Sequence, residues 1–390
     1  MNQFSDIIGQ DQIRDHLQDA VKSGHISHAY ILSGPKDSGK HFIANIFASA
    51  ILCTDRQLDS RGIPEPCGSC ISCIQAAAGS NPDILYVRRQ PDRKGISVDV
   101  IRAMRDDVVT LPYAGSHKIY IIEDAETMNT QAQNALLKTI EEPPSYAVII
   151  LLADGTDHFL PTVMSRCVTL QMRQVPEELV VRFLTEKLGT EPARAAACAN
   201  FASGILGRAA KLAADEQFDA ERREAADFLA GIGQKSYADL ADAVARYAPA
   251  KKKSAAAGDA AAQAAPEAPG IGSIADVCPL WFRDVLMMKA GMDVPILGKA
   301  RPGITSVGNA EGAVGIHLIF SDRASELKRM ADALSYEAIG RIWDAIAAYR
   351  EQLARGTAAD QAMLVLLTEI RDQVRGSMQQ KQQNKSGRAR

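Results

Sequence analysis

The sequence has no run of about 18 consecutive apolar residues, the length a helix needs to cross a bilayer. Its first ten residues, MNQFSDIIGQ, lack the charged and apolar regions of a secretory signal. Both absences lead to the expectation of a cytoplasmic protein with no membrane partner. A basic surplus is missing too: 44 Lys and Arg against 47 Asp and Glu leave a net charge of -3. Tight autonomous nucleic-acid binding needs a cationic footprint that releases counterions, so any DNA contact is expected to be shared with partners. Seven cysteines, four of them clustered, do not read as a disulfide framework; they fit a reducing compartment and a metal site. What is present is ordinary for a globular chain, 46% apolar and 23% charged over 390 residues, and the length suggests two to three domains.

The most informative stretch runs from His117 to Cys167. Lys118 to Ile122 is apolar and rich in β-branched residues, the pattern of a buried parallel strand. It ends in Glu123 and Asp124, at the C-terminal end of the strand, facing the crevice where open α/β folds bind ligands. A helix is predicted from about Asn129 to Glu141, with Ala132, Leu136, Leu137 and Ile140 on one face and Pro143-Pro144 as its stop. A second buried strand, Ala147 to Ala153, follows, and the stretch closes on Ser165-Arg166-Cys167 before a short apolar run.

Upstream, Ala29 to Ser33 reads as a first core strand, Gly34 to Lys40 as a tight loop, and the residues from His41 as a helix carrying Phe42, Ile43, Ile46 and Phe47 toward the sheet. A phosphate-binding loop of the pattern G-x-x-x-x-G-K-[ST] belongs there. Gly34, Gly39 and Lys40 match, but His41 replaces the hydroxyl residue that holds magnesium, and an imidazole suits that hard ion poorly. Asp37 adds a negative charge beside the phosphate path. ATP binding in cis is therefore expected to be weak or absent.

Cys53 is followed by Cys67-Gly-Ser-Cys70-Ile-Ser-Cys73. Two-residue spacings let neighbouring sulfurs converge on one ion, and four thiolates close a tetrahedral zinc site. Ferredoxin spacing would put a fourth cysteine at position 77, where this chain has Ala77. Structural zinc is the expectation, with free buried thiols as its rival.

The order of strand, Glu123-Asp124, NALLKTIEEPP helix, strand and Ser165-Arg166-Cys167 resembles a clamp-loader AAA+ module, most specifically the delta prime branch of bacterial DNA polymerase III. Phe4 to Gln10 resembles the segment lying near adenine in that family, the cysteine run its inserted zinc module, and Ser203 to Ala209 the end of its lid. ATPase relatives carry a sensor arginine where this chain has Gly207; Arg208 comes one residue late, turned by about 100° on a helix. Ala153-Asp154-Gly155 offers no sensor hydroxyl at its strand end. The resemblance implies an α/β AAA+ core with a parallel sheet (1–172, zinc module about 53–73), a helical lid (173–213) and an all-helical collar (214–378). An Ala-rich insertion at 248–272 is expected to be flexible, and a basic tail at 379–390 disordered. It further implies a largely non-hydrolysing stator that joins gamma/tau-like ATPase subunits and a delta-like clamp-opening subunit, loading the sliding clamp on primed DNA through the assembly. Arg166, in its SRC motif, would then act in trans as an arginine finger. One rival is an active gamma/tau-like motor, against which stand His41, the missing sensor arginine and the Glu-Asp order. Another is a zinc-stapled adaptor with no role in replication.

Overall fold

The computed structural model describes residues 3–58, 62–90, 93, 95–247, 274–291 and 318–388. The expected flexible insertion, 248–272, lies outside them. In chain order the strands are β1 Ala29–Ser33, β2 Gln57–Leu58, β3 Pro64–Glu65, β4 Ile84–Val87, β5 Lys118–Ile122, β6 Ala147–Ala153 and β7 Val168–Gln171. The helices are α1 Asp11–Ser23, α2 Lys40–Leu52, α3 Ile71–Ala77, α4 Val98–Val108, α5 Thr130–Glu141, α6 Pro161–Met164, α7 Glu177–Leu188, α8 Pro192–Ala202 and α9 Leu206–Ala214. They continue with α10 Phe218–Ala230, α11 Tyr237–Tyr247, α12 Ile274–Lys289, α13 Ala324–Ala333, α14 Tyr336–Ala354 and α15 Ala359–Arg388. Two compact units emerge, one of Met1–Ala195 with Ala202–Ala210, the other of Ala196–Phe201 with Lys211–Arg390. Among the described residues, no helix is long and apolar enough to cross a membrane.

The first unit is built on a five-stranded sheet of order β4-β5-β6-β1-β7, parallel in every pairing. The three longest strands are buried at every residue, which is why they read as continuous apolar runs rather than alternating ones. Alternate side chains still part to opposite faces. Tyr30, Leu32, Ile119, Ile121, Val148 and Ile150 pack with α1 and α2 through Leu17, Ile43 and Phe47. Ile31, Tyr120, Ile122, Ile149 and Leu151 pack with α4 and α5 through Ile101, Met104, Leu136 and Ile140. Phe42, expected to face the sheet, is instead 38% exposed, because it sits beside Ile43 on the turn of α2 that looks away from it.

Polar side chains fix the connections. Asp83, 2% exposed, accepts the backbone N–H groups of Tyr113, Ala114 (2.9 Å) and Gly115 (2.7 Å), ordering the loop before β5. The Gln10 amide exchanges two hydrogen bonds with the backbone of Arg173 (2.6 and 2.9 Å), so a glutamine rather than Asp or Ser stands at the start of α1. Glu65, 5% exposed, accepts from the Phe4 N–H at 2.7 Å and from Gln18 at 3.3 Å.

The second unit is helical. Phe201, Phe218, Phe320 and Trp281 meet edge-on, with ring centroids 5.2 to 5.6 Å apart. Along α14, Ile339, Ile342, Ile346 and Tyr349 recur at helical spacing and are buried, whereas Leu353, in the last turn, is 37% exposed. Helix α15 runs to Arg388, through most of the segment expected to be a disordered tail. Gln and Lys are good helix formers and no proline interrupts them, so polarity alone did not end the helix.

Candidate functional site

Three groups of residues carry chemistry in the first unit. The first surrounds the loop between β1 and α2. Because β1 and β6 are neighbours, with Ser33 opposite Ala153, the Gly34 N–H donates to the Ala153 carbonyl at 3.0 Å and the loop starts beside the end of β6. Gly39 has φ of 97°, the left-handed turn that launches α2. The ammonium of Lys40 then folds back onto its own loop. It donates to the carbonyls of Gly34 and Pro35 (3.0 Å) and to Asp154 Oδ1 at 2.8 Å. Over the loop, the N–H of Gly207 at the start of α9 donates to the Asp37 carbonyl at 3.0 Å. A Cβ at position 207 would lie 2.5 Å from that oxygen, so glycine is what permits the approach. Arg208 is exposed.

The acid pair is equally engaged. Glu123 accepts a two-pronged bond from Arg88 (2.8 and 2.9 Å) and lies 3.1 Å from His41 Nε2. Asn45 Nδ2 stands 2.9 Å from His41 Nδ1, while Tyr86 donates its hydroxyl proton to Asn45 Oδ1 at 2.7 Å. With the Asn45 amide donating to Nδ1, the proton would sit on Nε2, facing Glu123. Burial would raise the Glu123 pKa, but the bonds from His41 and Arg88 outweigh it and hold the carboxyl below its ordinary range. Asp124 takes a left-handed backbone conformation, φ of 51°, and its carboxylate is 3.9 Å from Arg89. Beside the loop lies an apolar cleft of about 510 Å³, lined by Ile7, Phe42, Leu179, Phe183 and Leu206 and reaching Ser38 and Gly39. That volume is in the range of small-molecule sites.

The second group is the cysteine cluster. The ligand atoms of Cys53, Cys67, Cys70 and Cys73 all lie within 4.8 Å of one another. Two sulfur pairs, Cys53 with Cys70 and Cys67 with Cys73, are 4.0 Å apart. Four sulfurs bound to zinc at about 2.3 Å would be about 3.8 Å apart at the corners of a tetrahedron, so the donor set and its span fit such an ion. Backbone N–H groups of Cys67, Cys70 and Cys73 point at Cys53, Cys67 and Cys70 sulfurs (3.3 to 3.4 Å), as suits thiolates. For Cys70 burial works upward, yet the N–H groups of Cys73 and Thr54 bring it down to about 6. Burial pushes Cys73 up.

The third group is Arg166, just before β7. Its guanidinium pairs with Glu141 at 3.0 Å and donates to the Thr162 carbonyl (3.1 Å) and Ser165 Oγ (3.3 Å). The side chain stays 40% exposed, beside a shallow cavity between the end of α5 and the start of β7. Cys167 is pushed up to about 12 by burial and is no ready nucleophile.

Residues 9–176, which span all three groups, match the sequence model of the family described as DNA polymerase III, delta subunit. The chain is similar to the tau subunit of DNA polymerase III from Bacillus subtilis, 37% identical over 46% of this chain and 30% of that one. It is also similar to the delta' subunit of Pseudomonas aeruginosa, 35% identical over 43% of this chain and 50% of that one. The delta' subunit of Bacillus subtilis is 29% identical over 55% of this chain and 62% of its own. Over residues 9–176, less than half of its length, the chain is similar to clamp-loader subunits of DNA polymerase III. It spans between about a third and two thirds of the length of these relatives.

The loop Gly34 to Lys40 follows β1 and the acids Glu123 and Asp124 follow β5, with His41 Nε2, 3.1 Å from Glu123, as the contact between them; Lys40 itself pairs with Asp154. The four cysteines converge as expected. Arg88, Asp154 and Glu141, which hold the expected residues in place, were not singled out from sequence. A signal existed for Arg88: it follows Val87, which pairs with Ile122, so the parallel register sets it beside Glu123.

Proposed function

We propose that this chain is a delta prime-like subunit of a DNA polymerase III clamp loader, a stator that does not turn over ATP itself. The observation that carries this reading is the contrast between its two ends of chemistry. Lys40 is engaged by its own loop and by Asp154, and Glu123 by Arg88 and His41, whereas Arg166 stays solvent-accessible on the surface. Magnesium would lack its loop hydroxyl, and the base position would have to break a two-pronged ion pair before it could polarise water. Arg166, by contrast, has the planar, permanently charged fork that suits phosphate oxygens. It would serve as a finger on ATP held by a neighbouring gamma/tau-like subunit, and a delta-like subunit, the sliding clamp and primed DNA would be reached through the assembly. The quartet Cys53, Cys67, Cys70 and Cys73 would hold a structural zinc that staples the insertion between α2 and β4.

The motor reading has two features in its favour, the intact Gly34, Gly39 and Lys40 and the 37% identity to a tau subunit. The two readings part on purified protein. A stator gives no ATP turnover above background alone and stimulates turnover when added to gamma/tau-like ATPase subunits, clamp and primed DNA. Robust turnover by the isolated chain, lost in Lys40→Ala, would establish the motor instead.

A further inference from the structure

We infer that Asp154 is a built-in occupant of the phosphate position, the residue that decides that this loop takes its own carboxylate rather than a nucleotide. The proposal rests on reading the loop as a former nucleotide site, and deepens it by naming what fills it.

Three placements carry the argument. Asp154 is the first residue past β6, and the Gly34–Ala153 hydrogen bond fixes that strand end against the start of the loop. Its backbone N–H is tied to Glu126 at 3.3 Å, so the residue is held on both sides. Its Oδ1 lies 2.8 Å from Lys40 Nζ, the distance a phosphate oxygen would take, and the remaining Lys40 donors go to the Gly34 and Pro35 carbonyls. The ammonium has three protons and three acceptors, so an arriving phosphate finds no free donor on it. The Lys40 side chain is 11% exposed and Asp154 54% exposed. An ion pair with so open a partner is weak in itself. The stronger effect is repulsion, since a polyphosphate approaching Lys40 must also approach the carboxylate that sits on it.

The test uses the full chain and three variants, Asp154→Ala, Asp154→Asn and Asp154→Ala with Lys40→Met. The probes are a fluorescent ATP analogue and inorganic triphosphate, each with magnesium. Wild type is expected to bind both weakly. Both single variants should bind at least tenfold more tightly, and the Lys40→Met change should remove the gain for both probes. Asn has the shape of Asp without its charge, so it covers the case in which Ala perturbs the β6 end. Affinity unchanged in both single variants overturns the inference, and so does a gain that survives Lys40→Met. Turnover by the wild type would sink the stator reading, a different outcome read in a different assay; the ratio of affinities would still judge Asp154.

Discussion

Replacing Arg166 by lysine tests the central functional claim, and the structure sets the size of the effect. Arg166 is parked on Glu141 at 3.0 Å, with side chains 40% and 46% exposed. An exposed pair of this kind is worth about 0 to 1 kcal/mol. An arginine finger contributes roughly 10³ to 10⁵ in phosphoryl-transfer rate, or about 4 to 7 kcal/mol. If Arg166 serves a neighbour's phosphate, leaving Glu141 costs far less than that engagement returns, and the pair is then a resting position. Two variants separate the roles. Glu141→Gln, which loosens the resting position alone, should change stimulated ATP turnover by less than about fivefold, since 1 kcal/mol corresponds to that factor. Arg166→Lys keeps the charge and loses the fork, so the site it serves should fall by at least about 10² while the remaining sites in the ring continue. The assay is ATP hydrolysis and clamp loading by an assembly reconstituted with each variant, after gel filtration confirms incorporation. An Arg166→Lys assembly that forms normally and loads clamps at the wild-type rate would rule out the finger role.

Cys70→Ser should lower the zinc content measured by elemental analysis from one per chain toward zero, because a closed tetrathiolate site tolerates no missing sulfur. Asp83→Ala strands three backbone N–H groups around residues 113–115; a loss of about 2 to 4 kcal/mol in urea unfolding is expected, with faster amide exchange in that loop. In the helical unit, Asp284 is fully buried, accepts the Phe320 N–H at 2.8 Å and has its pKa raised by burial to about 6. A folded-state value above the unfolded one means the native state holds the proton more tightly, so stability should fall as pH rises from about 4 to 6 and stay lower above that. Asp284→Asn should flatten this slope; an unchanged pH profile of melting would count against it.

How much of this could be read in advance depends on the distance over which a residue is understood. Strands β1, β5 and β6 are buried on both faces, so their composition alone marks them, and their bounds follow. The cysteine quartet was legible because three of its four ligands lie within seven residues and sulfur chemistry restricts the choice. Asp154 was read only for the hydroxyl it lacks. Its partner Lys40 is 114 residues away, and no local pattern distinguishes a carboxylate that will meet an ammonium from one that will meet water. Glu141 carried the same ambiguity, lying in an acidic helix end that reads as solvated. Phe42 was misjudged for a simpler reason: a helix with apolar residues on most of its circumference gives periodicity little to work with.

Glu65 gives the cysteine insertion a reach beyond itself. It stands two residues before Cys67, and its carboxylate holds the N–H of Phe4 and the amide of Gln18. Phe4 opens the N-terminal segment whose neighbour Ile7 lines the apolar cleft. One buried carboxylate thus fastens the cysteine insertion to the N-terminal segment that walls the cleft.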